Sequence, residues 1–246
     1  MKKIIFLIAT VLGYQTAVAQ QIAPFNQYTE YPVIYNPSFL GADSTSNVLM
    51  LYRNQWSGVA GAPQHGLLYI NTRLNERTGL GGYLLHESAN ILGSTGVYIT
   101  VSHRVDLSED HSIAFGLSGG VLQKRVLFDR LVAQNPDDPA LLESSQSQTQ
   151  ADGSFGIRYA FKDRLDIHIA SQQIFGGDFV FTDQSLEKSS GFELLRHFYL
   201  GGMYHFPKGK LPVDLSLIGT LRSVQSLQTQ WDLGVRVGWQ DILSAT

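Results

Sequence analysis

From Thr229 to Trp239 every odd position is apolar or β-branched: Thr229, Trp231, Leu233, Val235, Val237 and Trp239. Every even position is polar or glycine: Gln230, Asp232, Gly234, Arg236 and Gly238. A period of two belongs to a strand with one apolar face and one wet face. About ten residues is the length with which a tilted strand crosses a bilayer, and tryptophans at both ends fall where the headgroups lie.

The pattern repeats along the chain. Candidate strands are Val48–Trp56, His65–Leu74, Gly79–Glu87, Thr95–Val105, His111–Leu122, Gly153–Phe161, Leu165–Ala170, Leu194–Phe206 and Val213–Arg222, and the opening stretch brings the tally to ten. In Thr95–Val105 the apolar side carries Val97, Ile99, Val101 and Val105, opposite Tyr98, Thr100, Ser102 and Arg104. Only Gly79–Glu87 mixes its faces. The connections sort into two alternating classes. Asn75–Arg77, Asp106–Asp110, Lys162–Arg164 and Pro207–Pro212 are short; Ser57–Gln64, Ser88–Ser94, Gln123–Asp152, Phe175–Glu193 and Ser223–Leu227 are longer. Tight turns at one end and extended loops at the other mark an outer-membrane barrel. The expected fold is therefore all-β: a transmembrane antiparallel up-and-down β-barrel of at least ten strands, with both termini periplasmic and the long loops outside.

The N-terminus adds an address. Met1-Lys-Lys3 is basic, Ile4–Leu12 is apolar but too short to span a bilayer, and Ala17-Val-Ala19 has the small-x-small cleavage pattern. Residues 1–19 read as a cleaved signal peptide, 20–47 as an irregular, proline-punctuated segment packed in or beneath the barrel, and 48–246 as the barrel itself. The final Gln240–Thr246 reads as a turn and the start of a further strand, so the natural protein is expected to run on. Charged residues are 16% and apolar ones 43%, with 24 glycines, and mean hydropathy is near zero. Helical membrane proteins are greasier; a barrel is not, because its lumen face is polar. A net charge of -3 gives no basic surface for nucleic acid, and the absence of cysteine removes disulfides, thiolate metal sites and cysteine nucleophiles.

Candidate chemistry is thin. Gly116-Leu-Ser-Gly-Gly120 fits the G-x-S-x-G elbow, but that motif needs a strand turning into a helix, and here Ser118 lies in an alternating run. It reads as a strand serine, leaving a barrel esterase built on Ser118 as the least supported function. The histidines (His65, His86, His103, His111, His168, His197, His205) share no metal-binding spacing and read as lone strand residues. Asp137–Glu143 reads as a solvated acidic loop opening a short helix at Pro139, rather than a calcium loop. No cofactor is expected. The wet face of His111–Leu122 is more telling: Ser112, Ala114, Gly116, Ser118 and Gly120 are all small. Such a wall predicts that something packs on it, either the chain's own N-terminal segment or a partner's polypeptide.

Gln27-Tyr-Thr-Glu-Tyr-Pro-Val-Ile-Tyr-Asn-Pro-Ser-Phe-Leu-Gly-Ala42, followed by Tyr52-Arg-Asn-Gln-Trp56, Gly61-Ala-Pro63 and the strand ending Asn71-Thr-Arg73, resembles the opening of the PorP/SprF family of type IX secretion membrane proteins. The resemblance is specific over roughly residues 20–85. It implies a non-catalytic outer-membrane barrel of Bacteroidota that works with other type IX components, periplasmic ones included. Such a barrel helps export or anchor a large secreted adhesin-like protein, bound through that protein's C-terminal domain, in systems tied to gliding motility. The motif positions Tyr35, Asn36, Pro37, Arg53, Gln55, Trp56, Gly61, Ala62, Pro63 and Arg73 are assigned to structure or to partner and lumen contact. Arg53 and Gln55 share one face of their strand and Asn54 and Trp56 the other, and an arginine at membrane depth must face the lumen. There Arg53 either docks the N-terminal segment or an incoming carboxylate or backbone, or satisfies the barrel's own polar interior. The alternative function is an outer-membrane channel or a hydrophobic-solute transporter.

Overall fold

The computed structural model describes residues 31–42, 46–127, 146–183, 188–207, 213–225, 227–239 and 243–245. The expected signal peptide, the acidic stretch Asp137–Glu143 and residues 240–242 lie outside these. Two 3-10 turns, Pro32–Ile34 and Pro37–Phe39, precede the strands. The strands are β1 (Asn47–Asn54), β2 (Gln64–Arg73), β3 (Thr78–Ala89), β4 (Leu92–Asp106), β5 (His111–Val126), β6 (Gln146–Phe161) and β7 (Leu165–Gln172). They continue with β8 (Gly177–Asp183), β9 (Lys188–Leu194), β10 (His197–His205), β11 (Val213–Val224), β12 (Gln230–Trp239) and β13 (Leu243–Ala245).

Among the described residues these form one 11-stranded antiparallel sheet, ordered β1-β2-β3-β4-β5-β6-β7-β10-β11-β12-β13, and a separate two-stranded sheet of β8 and β9. Each strand of the large sheet follows its chain neighbour, except that β7 pairs with β10 across the β8–β9 excursion. This is the up-and-down wall of a transmembrane barrel. Its turn end carries the connections 74–77, 107–110 and 162–164; its loop end carries 55–63, 90–91 and 173–196.

The wall is apolar outside and polar within. Ile99 on β4 is 69% exposed and Leu233 on β12 72% exposed, and Val97, Val101, Phe115, Leu117, Leu200, Leu217 and Val235 are exposed with them. Asn71, Thr100, Ser102, Ser118, Ser154, Asp166 and Ser216 are buried. In water this distribution would be unfavourable; in a bilayer it places hydrocarbon on the exposed face and hydrogen-bonding groups on the inner one. β12 has the alternation read from Thr229–Trp239, with Trp231, Leu233, Val235 and Val237 outward. β3 resolves too: Leu80 and Leu84 point out, while Gly79 faces in. Several strand histidines bond a hydroxyl on the neighbouring strand: His86 to Thr95 (3.0 Å), His103 to Thr78 (3.1 Å) and His205 to Ser216 (2.7 Å). They are ladder partners, as lone strand histidines should be.

Several expectations are corrected. β3 and β4 meet across Asn90-Ile91 alone, so Ser88–Ser94 is not a long loop and long and short connections do not alternate strictly. Asn90 adopts φ +52, a left-handed conformation that asparagine tolerates and a tight hairpin needs. The expected loop Phe175–Glu193 contains the β8–β9 hairpin. Leu194–Phe206 is not one strand: Leu194 ends β9, and β10 starts at His197. β1 ends at Asn54, before Trp56, whose φ of +52 turns the chain. β5 and β6 extend to Val126 and from Gln146, because polar strand residues beyond the membrane carry no apolar alternation to betray them.

The inside-out wall predicts a depth-dependent cost of charge. Ile99→Arg, midway along β4, should destabilise by about 2–4 kcal/mol, and Val105→Arg, near the turn end, by about 0–1 kcal/mol. Urea titrations of folding into phospholipid vesicles measure both; equal costs at the two depths would contradict the placement of the apolar belt.

Candidate functional site

The inner face of the wall is occupied by the chain's own N-terminal segment. Pro32 and Pro37 each open a 3-10 turn, where a missing N–H costs nothing and φ is already set. The turns close through Tyr35 N–H to Pro32 O (3.2 Å) and Leu40 N–H to Pro37 O (3.2 Å). Asn36 joins them. Its Oδ1 accepts from Ser38 N–H at 3.0 Å and from Ser38 Oγ–H at 2.6 Å, a side-chain cap over the second turn. With its backbone bonded to itself in this way, the segment lies against a polar wall without joining its ladders.

The wall holds it along its length. Asn36 is 0% exposed, and its Nδ2 donates to the carbonyl of Ile169 on β7 at 3.2 Å. Gln172 donates to Ile34 O at 3.0 Å, and the Ser102 hydroxyl donates to Leu40 O. Tyr35 reaches His168: Oη and Nε2 are 2.9 Å apart. His168 Nδ1 faces Asp166 Oδ1 at 3.4 Å, and Asp166 is ion-paired with Arg158. With Nδ1–H donating to the carboxylate, Nε2 is left to accept from the tyrosine hydroxyl. The aromatic contacts lie in the same place. Tyr35 packs on Tyr199 of β10 with centroids 5.0 Å apart, Phe39 meets His168 edge-on at 4.9 Å, and Arg158 lies 4.7 Å over the Phe39 ring.

Two glycines make the seat. Gly116 on β5 and Gly156 on β6 are directly paired across the ladder. A Cβ on Gly116 would stand 2.2 Å from the Pro37 carbonyl carbon, and one on Gly156 1.9 Å from Asn36 Oδ1. Any other residue at either position would expel the segment or split the sheet. The small wet face of β5 is therefore a receptor surface, and the chain's own segment lies on it.

The sequence-predicted site residues fall in three places. Tyr35, Asn36 and Pro37 are the inserted segment. Arg53, Gln55, Trp56, Gly61, Ala62 and Pro63 gather at the loop end of β1 and β2. There Arg53 and Gln55 share the half-buried inner side, and the Gln55 amide oxygen, turned to the guanidinium, accepts from Arg53 Nε at 3.3 Å. Trp56 is exposed, Gln55 N–H donates to Pro63 O (3.0 Å), and Gly61 O accepts from Asn90 N–H (2.8 Å), tying this loop to the β3–β4 turn. Arg73 is at the opposite end, bonding Asn75 O (3.1 Å) and Glu76 O (2.8 Å) in its own turn. It is a turn residue of the wall. Of the residues that receive the segment, His168 was read only as a lone strand histidine, and Ser102, Gly156, Arg158, Gln172 and Tyr199 were not singled out in sequence; their signal needed the register between strands. Ser118 sits inside β5, 3% exposed, 2.7 Å from Thr100 Oγ1, with no strand-to-helix turn to make it a nucleophile.

The seat can be tested cleanly because the chain has no cysteine. Ser38→Cys should label slowly with a maleimide in the folded protein. Adding Gly156→Val, an overpacking of about 1–3 kcal/mol, should raise that rate by roughly tenfold or more. Unchanged labelling in a barrel that still migrates as folded would contradict the seat.

No curated protein matches the chain. Among solved structures, a crystal structure of a Pseudomonas aeruginosa FadL homologue is similar over 79% of this chain and 65% of that one, with 10% identity and a TM-score of 0.42. The chain thus spans less than two thirds of that protein's length. A family model described as "Type IX secretion system membrane protein PorP/SprF" matches residues 17–245. Nearly the whole sequence is covered, including the inserted segment, its seat and every described strand, and the chain therefore belongs to the PorP/SprF family of type IX secretion system membrane proteins.

Proposed function

We propose that this protein is a non-catalytic outer-membrane barrel that helps export, or anchors, a partner surface protein through that partner's C-terminal domain. The observation that supports the reading is the occupied inner face. Pro32–Ala42 is seated against the inner face from β3 to β10, which supports an inner wall suited to holding polypeptide. Membership of a secretion-system family makes a polypeptide the natural cargo or partner. Residues 1–19 serve as a cleaved signal, 20–47 as the inserted segment with its approaches, and 48–246 as the barrel. The turn end then faces the periplasm, where further type IX components meet it, and the loop end with Trp56, Gly61, Ala62 and Pro63 faces outward.

The second reading is a channel or a transporter of hydrophobic solutes. Reconstituted in planar bilayers, the wild-type protein should carry no steady ion current. A stable open current would favour the channel.

Anchoring is tested by affinity capture of the tagged protein from gently solubilised native outer membranes, followed by mass spectrometry. A large surface protein or periplasmic secretion components in near-stoichiometric amount is the expected result. A lone barrel, recovered intact, would remove stable anchoring.

A further inference from the structure

The β8–β9 hairpin sits at the loop end as a body distinct from the wall. Among the described residues its two strands pair with each other, from Gly177↔Leu194 to Asp183↔Lys188. Two glutamine side chains on β6 hold β8 in place. Gln148 Oε1 accepts from Val180 N–H at 2.7 Å, and Gln150 Nε2 donates to Asp178 O. Gln148 and Gln150 are two apart on one strand and Asp178 and Val180 two apart on another, so the amides are spaced at strand period on one face of β6. Both of these bonds go to main-chain groups. Gly177 lies so close that a Cβ there would stand 2.8 Å from Gln150 Oε1.

Side chains supply the remaining contact. Phe179, 0% exposed, and Phe181, 6% exposed, alternate along β8 and pack with Leu194 against Leu122 and Val126 of β5, with Ile91 at the margin. Bonds from two side-chain amides to the β8 backbone, combined with apolar contacts for alternate side chains, parallel the two parts of strand-addition recognition, in which backbone bonds give affinity and pockets specificity, with side chains here in place of a sheet edge.

The attachment suits release. Gln173, Gly176 and Gly177 at the hairpin's base have φ of +56, +60 and +128, so the chain bends sharply away from β7 before β8 begins. Ile174 O accepts from the exposed Arg196 Nε at 3.0 Å on the returning strand.

We infer that the inner wall at the loop end carries a groove for an extended polypeptide with aromatic side chains at alternate positions, and that β8 is its tethered occupant. The ligand is an extended segment of the partner polypeptide, with residues like Phe179 and Phe181 at i and i+2; this rests on the proposed role in binding a partner. The tether keeps β8 at an effective concentration on the order of millimolar, so a free peptide competes poorly until the hairpin is loosened.

The probe is a fluorescent heptapeptide, Gly-Asp-Phe-Val-Phe-Thr-Asp, copying residues 177–183, titrated by anisotropy into the purified full chain in detergent. Wild type should bind it weakly. Phe179→Ser/Phe181→Ser, which weakens the hairpin and leaves the groove intact, should bind it roughly tenfold tighter or more. A peptide with both phenylalanines replaced by serine should show no gain, and Gln148→Ala/Gln150→Ala in the loosened background should abolish it. Should the double variant not fold, Leu194→Ser loosens the hairpin from its own side and takes its place. A folded, loosened protein that binds both peptides alike overturns the groove. That result together with a partner captured from native membranes leaves anchoring standing, whereas a selective groove with no partner captured removes anchoring alone.

Discussion

Hydrocarbon offers no hydrogen bonds, so each backbone N–H and C=O that crosses it must find a partner within the protein. That constraint shapes this molecule. It selects an antiparallel meander in which neighbouring strands satisfy one another, from β1 through β7 and on from β10 through β13. Given such a sheet in a bilayer, the two faces must differ in the sense opposite to a soluble sandwich. Ile99, Leu217 and Leu233 are outside, and Thr100, Ser118 and Ser154 inside. Burial of polar side chains here is no anomaly. It follows from putting the apolar surface where its solvent is.

A polar inner face then poses its own problem, since buried polar groups need partners. The N-terminal segment supplies them. Its two 3-10 turns and the Asn36 cap satisfy most of its backbone locally, so it brings few unmet demands and several usable donors and acceptors. The chain Arg158–Asp166–His168–Tyr35 fixes one side of it, and Ser102 and Gln172 take its free carbonyls. The Gly116–Gly156 pair sets how closely it lies. Hydrogen bonds bridge both parties, and close packing excludes the water that would otherwise compete for them.

The β8–β9 hairpin is attached on another principle. Wall strands share backbone ladders, whereas the described contacts of the hairpin with the wall include two glutamine side chains and an apolar cluster. Side-chain attachments of this kind open at lower cost than ladders, and elements that move are drawn from the less stable parts of a fold. On the proposed reading, the molecule holds two polypeptide elements within its inner surface: one seated by glycines along the wall, the other docked at the mouth. A protein whose interior already receives two pieces of its own chain is chemically equipped to receive a third from elsewhere.

Within this sequence, the strands were legible because their signal is local. Alternation in Thr95–Val105 or Thr229–Trp239 depends only on which residues stand two apart, and it assigns both the element and its outward face without knowledge of any neighbour. The small inner face of β5 announced that something packs there for the same reason. The identity of the occupant, its seat and the groove at the loop end were decided by pairing. Gly116 opposes Gly156, and Gln148 reaches Val180, only once β5, β6 and the hairpin are in register. That register is set by non-local ladders and by turns such as Asn90-Ile91, whose conformations a pattern of period two does not encode. Faces are a property of a strand by itself, whereas sites belong to strands in combination, and so the wall could be read from the sequence while its contents required the tertiary structure.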